Sequence, residues 1–217
     1  MPSAYGAWAR LWIDRQVKRH NALILTFDDG PGTRLTPAIL AILADHNVKA
    51  TFFLLGKNIP GREAIVQQIA TSGHEIGSHG YEHLHYWAVS PFRSVRDVKR
   101  GWQMINAALG VSKSTYAFRP PYGKLNLICL LYLWWHKVPI VYWTFDTGDT
   151  WPSKKQNTRR ITALDSYSEG AVVLAHDFDR ADIHVGDMVL DLLNEALSIA
   201  KKNNMAITTI SGLHQMD

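Results

Sequence analysis

Short apolar runs alternate with helical patterns along almost the whole chain, and this order limits the available folds more than any single motif does. ALILTF (22–27) precedes a helical pattern over 36–45, and ATFFLL (50–55) precedes another over 63–71. A short run at 75–77 leads through a His-rich loop to a long helical pattern over 94–109. TYAF (115–118), an apolar helix over 126–136 and PIVYWTF (139–145) follow. AVVLAH (171–176), a helix over 187–202 and MAITTI (205–210) complete the series. Seven strands separated by crossover helices pair most economically in parallel, as an incomplete α/β barrel, with an open doubly wound sheet as the alternative. A chain of 217 residues without repeats, low-complexity tracts or Pro/Gly/Ser linkers fits one domain. The polar stretch 147–169 reads as a working loop with a short helix.

Composition narrows the partners. A net charge of +4 and a pI near 9.2 suit a polyanion or an anionic membrane. No dense Lys/Arg block or nucleic-acid motif accompanies that charge, so nucleic acid is not expected. The single Cys129, inside LNLICLLYLWW, excludes an intrachain disulfide and reads as a buried thiol, which a reducing compartment allows. Residues 1–21 carry scattered charges and no secretory-signal pattern, so the expected location is cytoplasmic. Trp8, Leu11 and Trp12 share one helical face there. That face either closes one end of the domain, the favoured reading, or rests on a membrane as a peripheral contact. The run 125–135 is too short to span a bilayer, which takes about 20 residues, and is expected to be a buried helix, though with the Trp-bearing N-terminus it would also suit a substrate at a membrane face.

The polar residues with chemical potential fall just after the strands, where α/β barrels place their active sites. Adjacent strand side chains point to opposite faces, so Asp28 and Asp29 can share a site only if the strand ends between them, as Gly30 and Pro31 suggest. One carboxylate could then hold a cation while its neighbour acts as a base; the alternative is a solvated turn. GHEIGSHGYEHLHYW contains His74, His79, His83 and His85. A helical turn would bring His79 and His83 to one side for a single metal, while His74 and His85 read as structural or rim residues. In FRPPYG, Arg119 could face a carboxylate and the rigid Pro120–Pro121 pair could present the Tyr122 N–H to an oxyanion. DTGDTW supplies Asp146, Asp149 and Trp151, and LAH ends on His176. An Asp–His pair can hold an imidazole protonated as a general acid.

TFDDGP, HxxxH, RPPYG, a D-T-x-D loop and LxH, in that order on successive strands, resemble the NodB-homology polysaccharide deacetylases, carbohydrate esterase family 4. The resemblance covers residues 22–213 and implies a distorted (β/α)7 barrel, with 1–21 as an extension and 22–217 as the deacetylase domain. It implies that Asp29, His79 and His83 bind a divalent metal, usually Zn2+, with Co2+ or another divalent ion as alternatives. Asp28 would be the base, oriented by Arg119, and the Tyr122 N–H would meet the oxyanion. His176 would be the acid, with Asp149 as its partner and Asp146 as the alternative, while Leu174 would line an acetyl pocket walled by Trp151. Two departures stand out: Gly80 replaces the usual Ser or Thr after the first metal histidine, and Thr150 separates Asp149 from Trp151. The implied activity is removal of N-acetyl groups from N-acetylhexosamine units of a glycan, oligosaccharide or lipid-linked sugar. A cyclic amide or ureide hydrolase and a noncatalytic sugar-binding relative are the alternatives; the oligomeric state is left open.

Overall fold

Strand β1 (Ala22–Asp28) is buried along its whole length, as its unbroken apolar run requires, and the sheet is built outward from it. The computed structural model describes residues 4–112, 114, 116–150, 163–167, 169–179 and 183–216. On one edge β1 pairs with β5 (Ala171–His176), from Leu23 opposite Ala171 to Asp28 opposite His176. The other edge is shared: β6 (Ala206–Thr208) lies beside Ala22–Ile24, and β2 (Thr51–Leu54) beside Thr26–Asp28. β3 (Glu75–Ser78) continues past β2, and β4 (Phe145–Asp146) past β5. All these pairs are parallel.

Backbone bridges carry the ring from Ser78 to Phe118 and on to Ile140, whose segment runs directly into β4. The result is the distorted α/β barrel expected from the element order. Two of the seven expected strands are much reduced. Of 115–118 only the Phe118 bridge is seen, position 115 lying outside the described residues, and 139–145 contracts to a bridge and two strand residues. Pro120, Pro121 and Pro139 have no N–H to donate, so neither ladder can extend through them. β6 ends at Thr208 because the Thr209 hydroxyl accepts from Gly212 N–H and caps the short helix α7 (Ile210–Leu213).

Among the described residues, five longer helices pack around or beside this ring. These are α2 (Leu35–Asp45), α3 (Glu63–Thr71), α4 (Pro91–Leu109), α5 (Leu127–Trp135) and α6 (Ile183–Lys202). α4 starts three residues earlier than its apolar pattern, because Ser90 caps Arg93 N–H and Pro91 occupies the first turn. Strand alternation divides the core. Leu23, Leu25, Phe27, Phe52 and Val173 face the helices, whereas Ile24, Phe53 and Val172 face the barrel interior.

Helix α1 (Ala4–Arg19) closes the N-terminal end of that interior through Ile13 and Val17, together with Ile210 and Leu213. The packed face is therefore not the expected one: Leu11 and Trp12 are exposed, Trp12 lying against His214 with ring centroids 5.5 Å apart. The buried reading of α5 is also corrected. Only Cys129 and Leu133 are fully buried within it, because a two-turn helix lying against α4 can cover one face only. No described helix is long and apolar enough to cross a membrane.

Candidate active site

Asp28 continues the inward series of Ile24 and Thr26 and is buried at the C-terminal end of the barrel. Asp29 then takes φ 71°, a left-handed conformation that aspartate tolerates better than most residues, and the strand stops. Both carboxylates thereby reach one place, with His79 Nε2 lying 3.8 Å from Asp28 Oδ2 and 3.6 Å from Asp29 Oδ1. Asn58 Nδ2 donates to the Asp29 carbonyl at 2.7 Å and holds the turn. The next residue has to be glycine, since a Cβ on Gly30 would overlap the carboxylate of Asp177.

His83 Nε2 lies 3.4 Å from Asp29 Oδ1, and the candidate ligand atoms of Asp29, His79 and His83 all fall within 4.8 Å of one another. His79 Nδ1 is 2.8 Å from the Arg119 carbonyl, which can only accept, so Nδ1 carries the proton and Nε2 keeps its lone pair. Burial pushes the His79 imidazole down to about 3, against the pull of Asp29, which keeps it neutral and able to ligate. Asp29 Oδ1 is buried with no hydrogen-bond partner among the described residues. Two imidazoles and an unpaired carboxylate oxygen fit a divalent ion of borderline softness.

The HxxxH segment is not the helical turn its spacing suggested. Positive φ at Gly80 (81°) and His83 (59°) makes it an irregular loop. Asp97 of α4 clamps that loop, accepting from Tyr81 N–H at 3.0 Å, Glu82 N–H at 2.9 Å and the Tyr86 hydroxyl at 2.8 Å. A Cβ on Gly80 would run into the Asp97 carboxylate. The Asp97 carboxylate thus sits against the position that usually carries a hydroxyl side chain.

Arg119 is fully buried beside Asp28. Its Nη1 donates to Asp28 Oδ1 and to Thr26 Oγ1, both at 2.7 Å, and the guanidinium carbon lies 4.2 Å from the centre of the Phe53 ring. Burial raises the Asp28 pKa above the usual carboxylate range, and the Arg119 charge draws it back. An ionised Asp28 therefore depends on Arg119.

His176 is the register partner of Asp28, so the two side chains share the inner face of the sheet. Its Nδ1 lies 2.9 Å from Asp149 Oδ1, and its own N–H donates to Asp149 Oδ2 at 3.0 Å. Burial alone would lower the imidazole pKa; the charge and hydrogen bond of the buried Asp149 outweigh that and raise it to about 9. Of the two aspartates left open by the sequence, Asp149 stands against His176. Asp146 Oδ1 accepts from Gly148 N–H at 2.8 Å. Tyr122, at φ 56°, sets its ring edge-on to His83 with centroids 4.5 Å apart, and Leu174 is buried on β5. Trp151 lies outside the described residues.

Asp177 is a further residue that sequence reasoning missed. Fully buried, it accepts from the Thr36 hydroxyl at 2.6 Å and from Gly30 N–H, and its own N–H donates to Asp28 O at 3.1 Å. It ties the turn after the aspartate pair to the strand that carries His176. Nothing in its spacing marks it, but Asp97 could have been found. It is a charge on the buried stripe of an amphipathic helix, between Ser94 and Val98.

Residues 15–132 match the family described as polysaccharide deacetylase, which is more than half of the chain. The chain belongs to this family. A peptidoglycan-N-acetylglucosamine deacetylase of Bacillus cereus is 30% identical over 97% of the chain and 77% of its own length. A chitooligosaccharide deacetylase of Rhizobium leguminosarum bv. phaseoli is 32% identical over 72% of the chain and 68% of its length. The crystal structure of the Bc1960 peptidoglycan N-acetylglucosamine deacetylase superposes with a TM-score of 0.80 at 28% identity, covering 93% of this chain and 94% of that one. The resemblance to carbohydrate esterase family 4 is therefore a family relationship, and the polysaccharide deacetylase fold extends over nearly the whole chain.

Proposed function

We propose that this polysaccharide deacetylase is a metal-dependent N-deacetylase that hydrolyses the N-acetyl group of N-acetylhexosamine units in a glycan or lipid-linked sugar. The observation that carries the reading is the buried, unpartnered Asp29 Oδ1 between two histidines, flanked by an Asp–Arg pair on one side and a His–Asp pair on the other. Asp29, His79 and His83 would hold the ion, for which zinc is the first choice by donor type; when bound it polarises the acetyl carbonyl and makes water more acidic.

Asp28, held by Arg119, takes a proton from the attacking water. The Tyr122 N–H donates to the oxygen that gains charge as the carbonyl carbon becomes tetrahedral. His176 gives the leaving nitrogen its proton, and Asp149 keeps the imidazole charged until that moment. Leu174 lines the space for the acetyl methyl. One water is consumed per amide, and the products are acetate and an amino sugar.

Acetate release from chitooligosaccharides and from peptidoglycan fragments by zinc-loaded protein tests this, with Asp28→Asn and chelator-treated protein alongside. Release from either glycan, abolished in both controls, is the expected result. Zinc binding with no acetate from either glycan or from a lipid-linked N-acetylhexosamine would overturn it in favour of a binding-only relative.

A further inference from the structure

The outer face of α5 is apolar along its whole length, and nothing among the described residues covers it. Leu127, Ile128, Leu131, Trp134 and Trp135 are 43–77% exposed, and at helical spacing they form one continuous stripe. α4 lies beside α5 and runs the same way, since Asn126 Nδ2 donates to Ser94 Oγ at 2.7 Å and Trp102 meets Tyr132 with ring centroids 6.1 Å apart. Phe92, near the α4 N-terminus, is 79% exposed at the same end of the pair. Monomeric proteins rarely leave so many large apolar side chains together in water.

Charge distinguishes between the occupants such a face could take. Residues 98–145 contain no Asp or Glu but hold six Lys or Arg, of which only Arg119 is committed to the buried site. Lys99 Nζ sits 5.2 Å from the centre of the Tyr132 ring, and Lys124 Nζ sits 4.6 Å from that of Trp87. Lys137 follows the last turn of α5 and is exposed. Among the described residues, Asp97 is buried in the loop clamp and Glu82 pairs with Arg93 at 3.1 Å. A second copy docking through the same face would bring these lysines against their own equivalents. An apolar stripe rich in tryptophan with a rim of lysines that form no ion pair among the described residues matches the interface of an anionic bilayer.

The stripe is also continuous with the candidate site. Tyr122 contacts both His83 and His85, His85 contacts Trp87 with ring centroids 6.2 Å apart, and Trp87 Nε1 donates to the Leu125 carbonyl at the approach to α5. We infer that α5 is a docking surface for an anionic lipid bilayer, which sets the metal-binding rim beside the headgroup layer. Delivery of a lipid-linked N-acetylated sugar to that rim rests on the deacetylase reading; the docking itself does not.

Flotation of the full-length protein with vesicles of phosphatidylcholine, alone or mixed with phosphatidylglycerol, tests the docking. The protein is expected to float with the mixed vesicles and to be released by high salt. Trp134→Ser with Trp135→Ser should weaken binding about tenfold or more, since it removes two interfacial anchors. Lys124→Ala and Lys137→Ala should each cost about fivefold and flatten the salt dependence. Acetate release from a soluble chitooligosaccharide by these variants should equal that of the unchanged protein, which separates failure to dock from failure of the chemistry. A protein that stays in the soluble fraction with both vesicle types would overturn the inference. So would a dimer in analytical ultracentrifugation that Trp134→Ser with Trp135→Ser converts to monomer without changing flotation.

Discussion

His79 and His176 are both largely buried imidazoles at strand ends on one rim, yet they are held in opposite protonation states. His79 donates its Nδ1–H to a backbone carbonyl, and burial, against the pull of Asp29, pushes its pKa down to about 3. His176 faces the buried carboxylate of Asp149, which overrides burial and raises its pKa to about 9. Burial alone does not assign a histidine its chemistry. The partner on the ring nitrogen makes one a neutral ligand and the other a charged acid.

The largest expected effects come from breaking the acid half or the base half of this division. Asp149→Asn should lower kcat by about 10²–10⁴-fold, the range of general acid catalysis. It should also move the alkaline limb of the rate profile. In the unchanged protein His176 must be protonated, so the rate should fall as pH rises through about 9. With the carboxylate gone, only the charges of Asp28 and Asp29 oppose burial, and that limb should shift to lower pH. Asp28→Asn should cost a similar factor in rate while leaving metal content unchanged, measured by metal analysis of the purified variant.

Arg119→Met probes the pair beneath the metal side. It leaves Asp28 buried without its cation, so urea unfolding should show a loss of about 3–5 kcal/mol. Adding Asp28→Asn to that variant should recover part of the loss in a double-mutant cycle. Asp97→Asn acts more gently, through the loop alone. Metal affinity should drop about 10–100-fold by competition titration, while kcat at saturating metal changes little. The smallest effect is expected from Asp146→Asn. Asp149, not Asp146, holds the His176 ring, so the rate should fall far less than at Asp149. A larger loss there than at Asp149 would reverse the assignment of the acid pair.

Much of this was legible in the sequence because strand alternation and element order are local signals. The helix over 63–71 has the bounds its pattern suggested, and the Gly30–Pro31 break correctly implied that Asp28 and Asp29 could meet. Other features depend on what lies across the fold. Asp146 and Asp149 are three apart on one loop, and only the hydrogen bonds to β5 separate them. The HxxxH spacing suggested a helix, but Asp97, reaching over from α4, holds it as a loop. In α5 every residue is apolar, so periodicity could not say which face would remain in water. The shortened strands at Phe118 and Ile140 were readable from three prolines that the apolar runs outweighed.

The most direct test of the contrast between the two imidazoles is a titration of the metal-free protein followed by two-bond 1H–15N NMR correlation of the histidine rings. The account predicts that at pH 7 His79 is neutral with its proton on Nδ1, while His176 carries both protons and loses one only near pH 9. If the two rings titrated together near the ordinary histidine value of about 6.5, partner identity would not set their roles, and the division of labour would fail.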